Sequence, residues 1–194
     1  MTRGEEQRLI ELAAAGDRAA AETFVRAHQA SLYSYLLRLS GRPDVAEDIV
    51  QEAFVRVLTH LDRFDPRFRF STWLFTIAKR LYLNASQRLK PAYDTDMVGG
   101  WQGRGASPDT PAVGAEVDIN AKDALQAALL SLPTEQREVV ILFHQQDWPI
   151  WLIAQHMEMP EGTVKSHLHR GRRKMRRMLE SSEKHTRSVG EVWS

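Results

Sequence analysis

Cysteine is absent from all 194 residues. That excludes disulfides, thiolate metal sites and a cysteine nucleophile. No apolar run is long enough to span a bilayer, so no membrane insertion is expected. The first residues, MTRGEEQRLIELAAAGD, are acidic and polar where a secretory leader is basic and then apolar. A cytoplasmic location is therefore expected. Also missing are a Gly-rich phosphate loop, a His-x-x-x-His pair with a carboxylate and any nucleophile motif. The seven histidines are scattered. His167 and His169 stand two apart, so they do not face each other on a helix. The expectation is no catalytic residue, no metal and no cofactor.

A strong charge bias is missing too. The net charge is +1, and the total says nothing about nucleic acid. The distribution says more. From Lys165 to Arg177 there are seven Lys/Arg and no Asp/Glu, whereas Leu89 to Lys122 holds three basic and five acidic residues. A local basic helix on a near-neutral chain is the footprint of a nucleic-acid surface.

What is present is helical patterning, with three-to-four spacing and little strand-like alternation. The spacing predicts helices over Glu6–Ala15, Ala19–Leu39, Val45–Leu61 and Ser71–Arg88. Gly16-Asp17 and Gly41-Arg42-Pro43 act as breaks, and Asp44 with Glu47 resembles a capping box, with Asp in place of Ser/Thr, expected to open the third helix. Leu89 to Asn120 is dense in Gly, Pro, Asp and Ser and is assigned as a linker. Trp101 is its one large apolar group, either an anchor on a partner or simply exposed. Helices resume at Ala121, with a stripe of Leu125, Ala128, Leu129 and Leu132. Further helices follow over Thr134–His144, Pro149–Met157 and Glu161 to about Glu180, then a polar, frayed tail. The expected architecture is all-α: two small helical domains, 1–88 and 121–180, joined by a flexible linker over 89–120, with a tail over 181–194. The second is a helix-turn-helix domain.

The sharpest signal is WPIWLIAQHMEMPEGTVKSHLHRGRRKMRRML. Pro149 suits the first turn of a helix. Ile150, Ile153, Ala154 and Met157 face inward, and Ala154 allows a close neighbour. Pro160 and Glu161 open the next helix, whose buried stripe is Val164, Leu168, Met175 and Leu179. Glu161, Thr163, Lys165, Ser166, His169, Arg170, Arg172 and Arg173 take the other positions. Such a helix can present polar tips to base edges in a major groove while its cations meet phosphates. A charge run alone would more often be a solvated face; the turn, the small residue and the basic run together favour DNA.

The stretch from Leu132 to Leu179, with LP-x-x-x-REVV, Ile153-Ala154 and EGTVKS-x-L-x-R, resembles the C-terminal domain of bacterial extracytoplasmic-function (ECF) sigma factors. The resemblance implies reading of the upstream (−35) promoter element. It departs at Leu152, where the family usually has an acidic residue. AEDIVQEAFVRVLTHLDRFD is similar to the family's polymerase-binding helix, which implies that Glu47, Asp48, Gln51 and Glu52 meet core RNA polymerase. Pattern alone would make them a solvated acidic face.

FDPRFRFSTWLFTIAKRLYLNASQR combines aromatics with cations, a mixture that suits a single strand. Phe70, Trp73, Leu74 and Ile77 could equally be core, and Trp73, Leu74 and Ile77 are assigned to it. The resemblance implies promoter melting and −10 reading through Arg67, Arg69, Phe70, Lys79, Arg80, Asn84, Gln87 and Arg88. Arg80 stands where the family commonly has Asn. The implied partners are core RNA polymerase, promoter DNA and an anti-sigma factor. A helix-turn-helix regulator acting unaided would not need the aromatic-cation segment; a mimic that only sequesters an anti-sigma factor would not need the cations.

The linker carries a geometric expectation. As a coil of some 30 residues its ends lie roughly 30 Å apart, and fully extended it reaches about 100 Å. Two promoter elements require about 50–70 Å. The linker is expected to be stretched along polymerase and loose or folded back in the free protein.

Overall fold

The computed structural model describes the backbone of residues 2–89 and 113–192, and side chains over 2–87 and 122–181. The linker centre with Trp101, the side chain of Arg88 and the tail side chains lie outside the described residues. Eight α-helices are described: α1 (Arg3–Ala14), α2 (Arg18–Ser40), α3 (Pro43–Thr59), α4 (Phe70–Leu89), α5 (Val113–Leu130), α6 (Thr134–His144), α7 (Ile150–Met157) and α8 (Glu161–Val192). A short 3₁₀ turn, Leu61–Arg63, follows α3.

Local chemistry sets the ends of these helices. Thr2 and Glu5 form a reciprocal capping box on α1. Asp17 accepts from the amides of Ala19 and Ala20 at the start of α2. Gly41 closes α2 at φ 71°, a left-handed conformation that costs glycine little. Pro43 then opens α3, where its missing N–H is no loss. The expected Asp44–Glu47 capping box does not form. Arg42 holds the cap position with no side-chain bond, and its Nε donates to Asp44 Oδ1 at 3.2 Å instead. Two other expectations shift. α5 starts at Val113, inside the expected linker, because no proline lies between Pro111 and Pro133 to stop it. α8 continues to Val192 rather than ending near Glu180, since that stretch also lacks proline.

In the first domain α2, α3 and α4 bury Phe24, Leu32, Leu36, Ile49, Val57, Phe70 and Leu74. In the second, α6 and α8 pack closely because Gly171 faces Val140; a Cβ there would lie 2.8 Å from Val140 Cγ2. α7 and α8 form the helix-turn-helix, with Glu158 turning the chain at φ 54°. Val164, Leu168 and Ile153 are buried between them. Leu152, the departure from the family pattern, is buried as well.

The two domains pack on each other, so their buried residues form one continuous apolar cluster. Trp148 of the second domain sits 5.4 Å from the ring of Phe75 in the first. Arg137 of α6 donates to the carbonyls of Leu129, Leu130 and Leu132, and across the interface to that of Leu39. Gln126 donates to the Arg38 carbonyl at 3.3 Å. Leu130 closes over Gly41, where a Cβ would lie only 2.7 Å from its Cδ1. Gly41→Ala therefore combines a left-handed alanine with overpacking. It is expected to cost about 1–3 kcal/mol, read as a lower urea midpoint with an unchanged slope.

Candidate nucleic-acid interface

α8 divides into a buried and an exposed side. Val164, Leu168, Gly171 and Met175 face the domain. Ser166, His169, Arg170 and Arg173 recur at helical spacing on the exposed side, and Glu161, Lys165 and Arg172 run beside them. Lys165 lies 3.9 Å from Glu161 in a loose i,i+4 pair. Thr163 is half-buried. Arg172 differs from its neighbours. Its Nε donates to His144 Nε2 at 2.9 Å, and its guanidinium lies 5.0 Å from the centre of the Phe143 ring. Burial, then the charge of Arg172, push His144 below its ordinary pKa, which favours the neutral acceptor this bond needs.

On α3, Glu47, Asp48, Gln51 and Glu52 are all exposed and share an edge opposite the buried Ile49, Val50, Ala53 and Phe54. Glu52 pairs with Arg56 at 2.7 Å.

The aromatic-cation segment is ordered from below. Arg3 of α1 donates to the carbonyls of Pro66 and Arg67, and Arg67 pairs with Asp65 at 2.6 Å. Arg69 is exposed. Phe70 is not available for base stacking in this conformation. It is 1% exposed and packed among Phe24, Phe64 and Trp73, with ring centres 4.3, 5.5 and 5.7 Å away. Its aromatic surface serves the core because Phe70 opens α4 on that helix's inner side. Phe68, 49% exposed, is the aromatic that the segment presents outward. Along α4, Arg80, Asn84 and Gln87 are exposed on one face.

Lys79 is set apart from them. Its Nζ lies 3.1 Å from Glu138 Oε2, with the side chains 18% and 3% exposed, and 3.0 Å from Met157 Sδ. Glu138 Oε1 also receives the Tyr35 hydroxyl at 2.9 Å and faces His156 Nε2 at 3.0 Å. His156 Nδ1 lies 3.2 Å from Thr76 Oγ1. Tyr35, Thr76 and Lys79 come from the first domain; Glu138, His156 and Met157 come from the second. Burial first, then the charge of Glu138, push the Tyr35 phenol well above its ordinary pKa, so it remains a donor. Burial alone would raise the Glu138 carboxyl, but the His156 contact and the Lys79 charge outweigh it, and the pKa is lowered. Tyr35, Thr76, Glu138 and His156 were not among the residues expected from sequence.

A family model described as Sigma-70 region 2 matches residues 24–91, and one described as Sigma-70, region 4 matches residues 122–175. The ECF RNA polymerase sigma factor SigW of Bacillus subtilis (strain 168) is 34% identical over 170 residues, covering 84% of this chain and 91% of SigW. The chain belongs to the ECF sigma factors. This family consists of transcription initiation factors rather than enzymes. The sigma-E factor of Escherichia coli (strain K12) is 30% identical over 177 residues, covering 86% of this chain and 90% of that protein.

Solved structures share the fold. CnrH in complex with the cytosolic domain of CnrY gives a TM-score of 0.67 at 21% identity, covering 91% of this sigma factor and 98% of that chain. RpoE from Bartonella quintana in complex with the anti-sigma factor NepR gives 0.63 at 21% identity, covering 82% and 96%. Among the described residues, no helix of this sigma factor is long and apolar enough to cross a membrane.

Because folding lowers the Glu138 pKa, its contribution to stability is present above the unfolded value and is lost as pH falls through the folded one. Stability should therefore drop as pH falls below the ordinary carboxyl value of 4.5. Glu138→Gln should flatten that acid limb in a urea-midpoint series against pH; an identical limb in both proteins would contradict this assignment.

Proposed function

We propose that this ECF sigma factor docks core RNA polymerase through the exposed edge of α3, with Glu47, Asp48, Gln51 and Glu52 meeting a positively charged surface. The α8 stripe holds the upstream promoter element in a major groove. Glu161, Thr163, Lys165, Ser166 and His169 stand at the N-terminal end, where base edges are read, and Arg170 and Arg173 bind phosphates. Arg172, tied to His144, supports the stripe and reaches phosphate from its edge. Arg67, Arg69, Phe68 and the face of Arg80, Asn84 and Gln87 receive the downstream element as it opens, together with Lys79 and Arg88. Phe70 supports this surface from the core. Polymerase supplies the chemistry. The protein works in the cytoplasm.

The observation that carries this reading is the pairing of both sigma regions in one chain, each with an exposed polar face of the appropriate charge. Control by an anti-sigma factor is part of the same reading, supported by the RpoE relative of known structure, which was solved with one.

Run-off transcription with purified core polymerase and a promoter library tests it. Open complexes that depend on the protein are expected. Tight duplex binding without polymerase, and no transcript with it, would contradict the reading. Arg170→Ala with Arg173→Ala should weaken promoter binding and reduce the slope of log K against log salt by about 1.8, roughly 0.9 for each phosphate no longer neutralised.

A further inference from the structure

We propose that the two domains hold each other in a self-blocked closed state latched by the buried Glu138, and that Lys79 exchanges this carboxylate for DNA when the domains part. The inference rests on the assignment of Lys79 to the melting surface. In the closed arrangement the ammonium of Lys79 faces Glu138 at 3.1 Å and is largely shielded from solvent. Glu138 of α6 and Met157 of α7 both contact that nitrogen, so a phosphate would compete with them for it. The cation and the carboxylate are therefore alternatives: Lys79 is committed either to its own chain or to nucleic acid.

Geometry makes the latch specific. Tyr35 and Lys79 come to Glu138 from two helices of the first domain, while His156 comes from the second and is itself met by Thr76 of the first. Polar groups buried in this way are satisfied in only one relative placement of the domains, because an unpaired member would carry a large desolvation cost. Trp148 on Phe75 adds apolar area beside them. The closed state is thus one defined structure and not a loose encounter across a linker. When the domains part, Glu138 returns to water and Lys79 becomes free for a phosphate, so neither charge stays buried alone.

The remaining DNA surfaces are not blocked. The α8 stripe and the Arg80, Asn84 and Gln87 face stay exposed in the closed state. The closed protein can therefore meet duplex DNA through α8 before the latch opens. Release of Lys79 becomes a later step, coupled to separation of the domains.

The absence of cysteine makes the test direct. Cysteines introduced at the exposed positions Arg8 and Gln155 carry a dye pair in the full chain, and energy transfer reports domain separation. Tyr35→Phe with Thr76→Val removes latch hydroxyls from the first domain only, leaving the second intact. Glu138→Gln removes the charge from the other side. Loss of the hydroxyl hydrogen bonds in the first variant, and of the ion pair with Lys79 in the second, should raise the low-transfer, open population about tenfold in each. Affinity for a single strand carrying the downstream element should rise with it. Adding Lys79→Ala to the opened protein should abolish that gain.

Unchanged transfer in both variants, with circular dichroism showing an intact fold, would overturn the latch. Opening with no gain in strand affinity would overturn self-blocking. A gain that survives Lys79→Ala would overturn the exchange, and with it the placing of Lys79 on the melting surface, while the latch itself would stand.

Discussion

Glu138 carries a carboxylate into an interior with almost no access to water. An unpaired charge in such a place costs several kcal/mol, so the helices around it must deliver compensation. α2 brings Tyr35, α4 brings Lys79 and α7 brings His156. Those three requirements fix α6 against both domains at once. Arg137, its neighbour in the chain, reaches in another direction and gathers four backbone carbonyls, including that of Leu39 in α2. An adjacent Arg–Glu pair on one short helix thus ties the second domain to the first in two independent polar arrangements. The apolar layer of Trp148, Phe75, Leu130 and Gly41 lies beside this frame.

That frame divides the functional surfaces. The acidic edge of α3 and the basic stripe of α8 both stay exposed while the domains are packed together. α4 is shared. Its Arg80, Asn84 and Gln87 face solvent, while Thr76 and Lys79 face the other domain. Adjacent positions on one helix therefore hold Arg80, which is open to DNA, and Lys79, which is committed to the protein interior. Because buried polar networks are costly when half-satisfied, the arrangement favours two discrete states over a continuum.

Much of the fold was legible in local sequence chemistry. Asp17, Gly41, Pro43 and Pro149 mark helix ends through their own backbone preferences, and the α8 stripe follows from spacing alone. The polymerase and promoter roles came from resemblance to the ECF family. What escaped depended on partners far along the chain. Glu138 stands beside the apolar run Val139–Leu142, an unusual place for a carboxylate, yet nothing local identifies Tyr35, 103 positions away, as its donor. Phe70 belongs to an aromatic-cation segment, and only the packed structure shows its ring turned into the core. The buried Gly171 reads as a weak point in a helix until α6 is placed against it. The early start of α5 and the extension of α8 reflect the reach of helix propagation where proline is absent.

Joined through the Glu138 frame, the free protein should unfold as one cooperative unit despite a long linker in its sequence. Scanning calorimetry of the full chain tests this most directly. A single transition is predicted, with calorimetric and van't Hoff enthalpies in agreement. Two separated transitions, one for each domain, would contradict it.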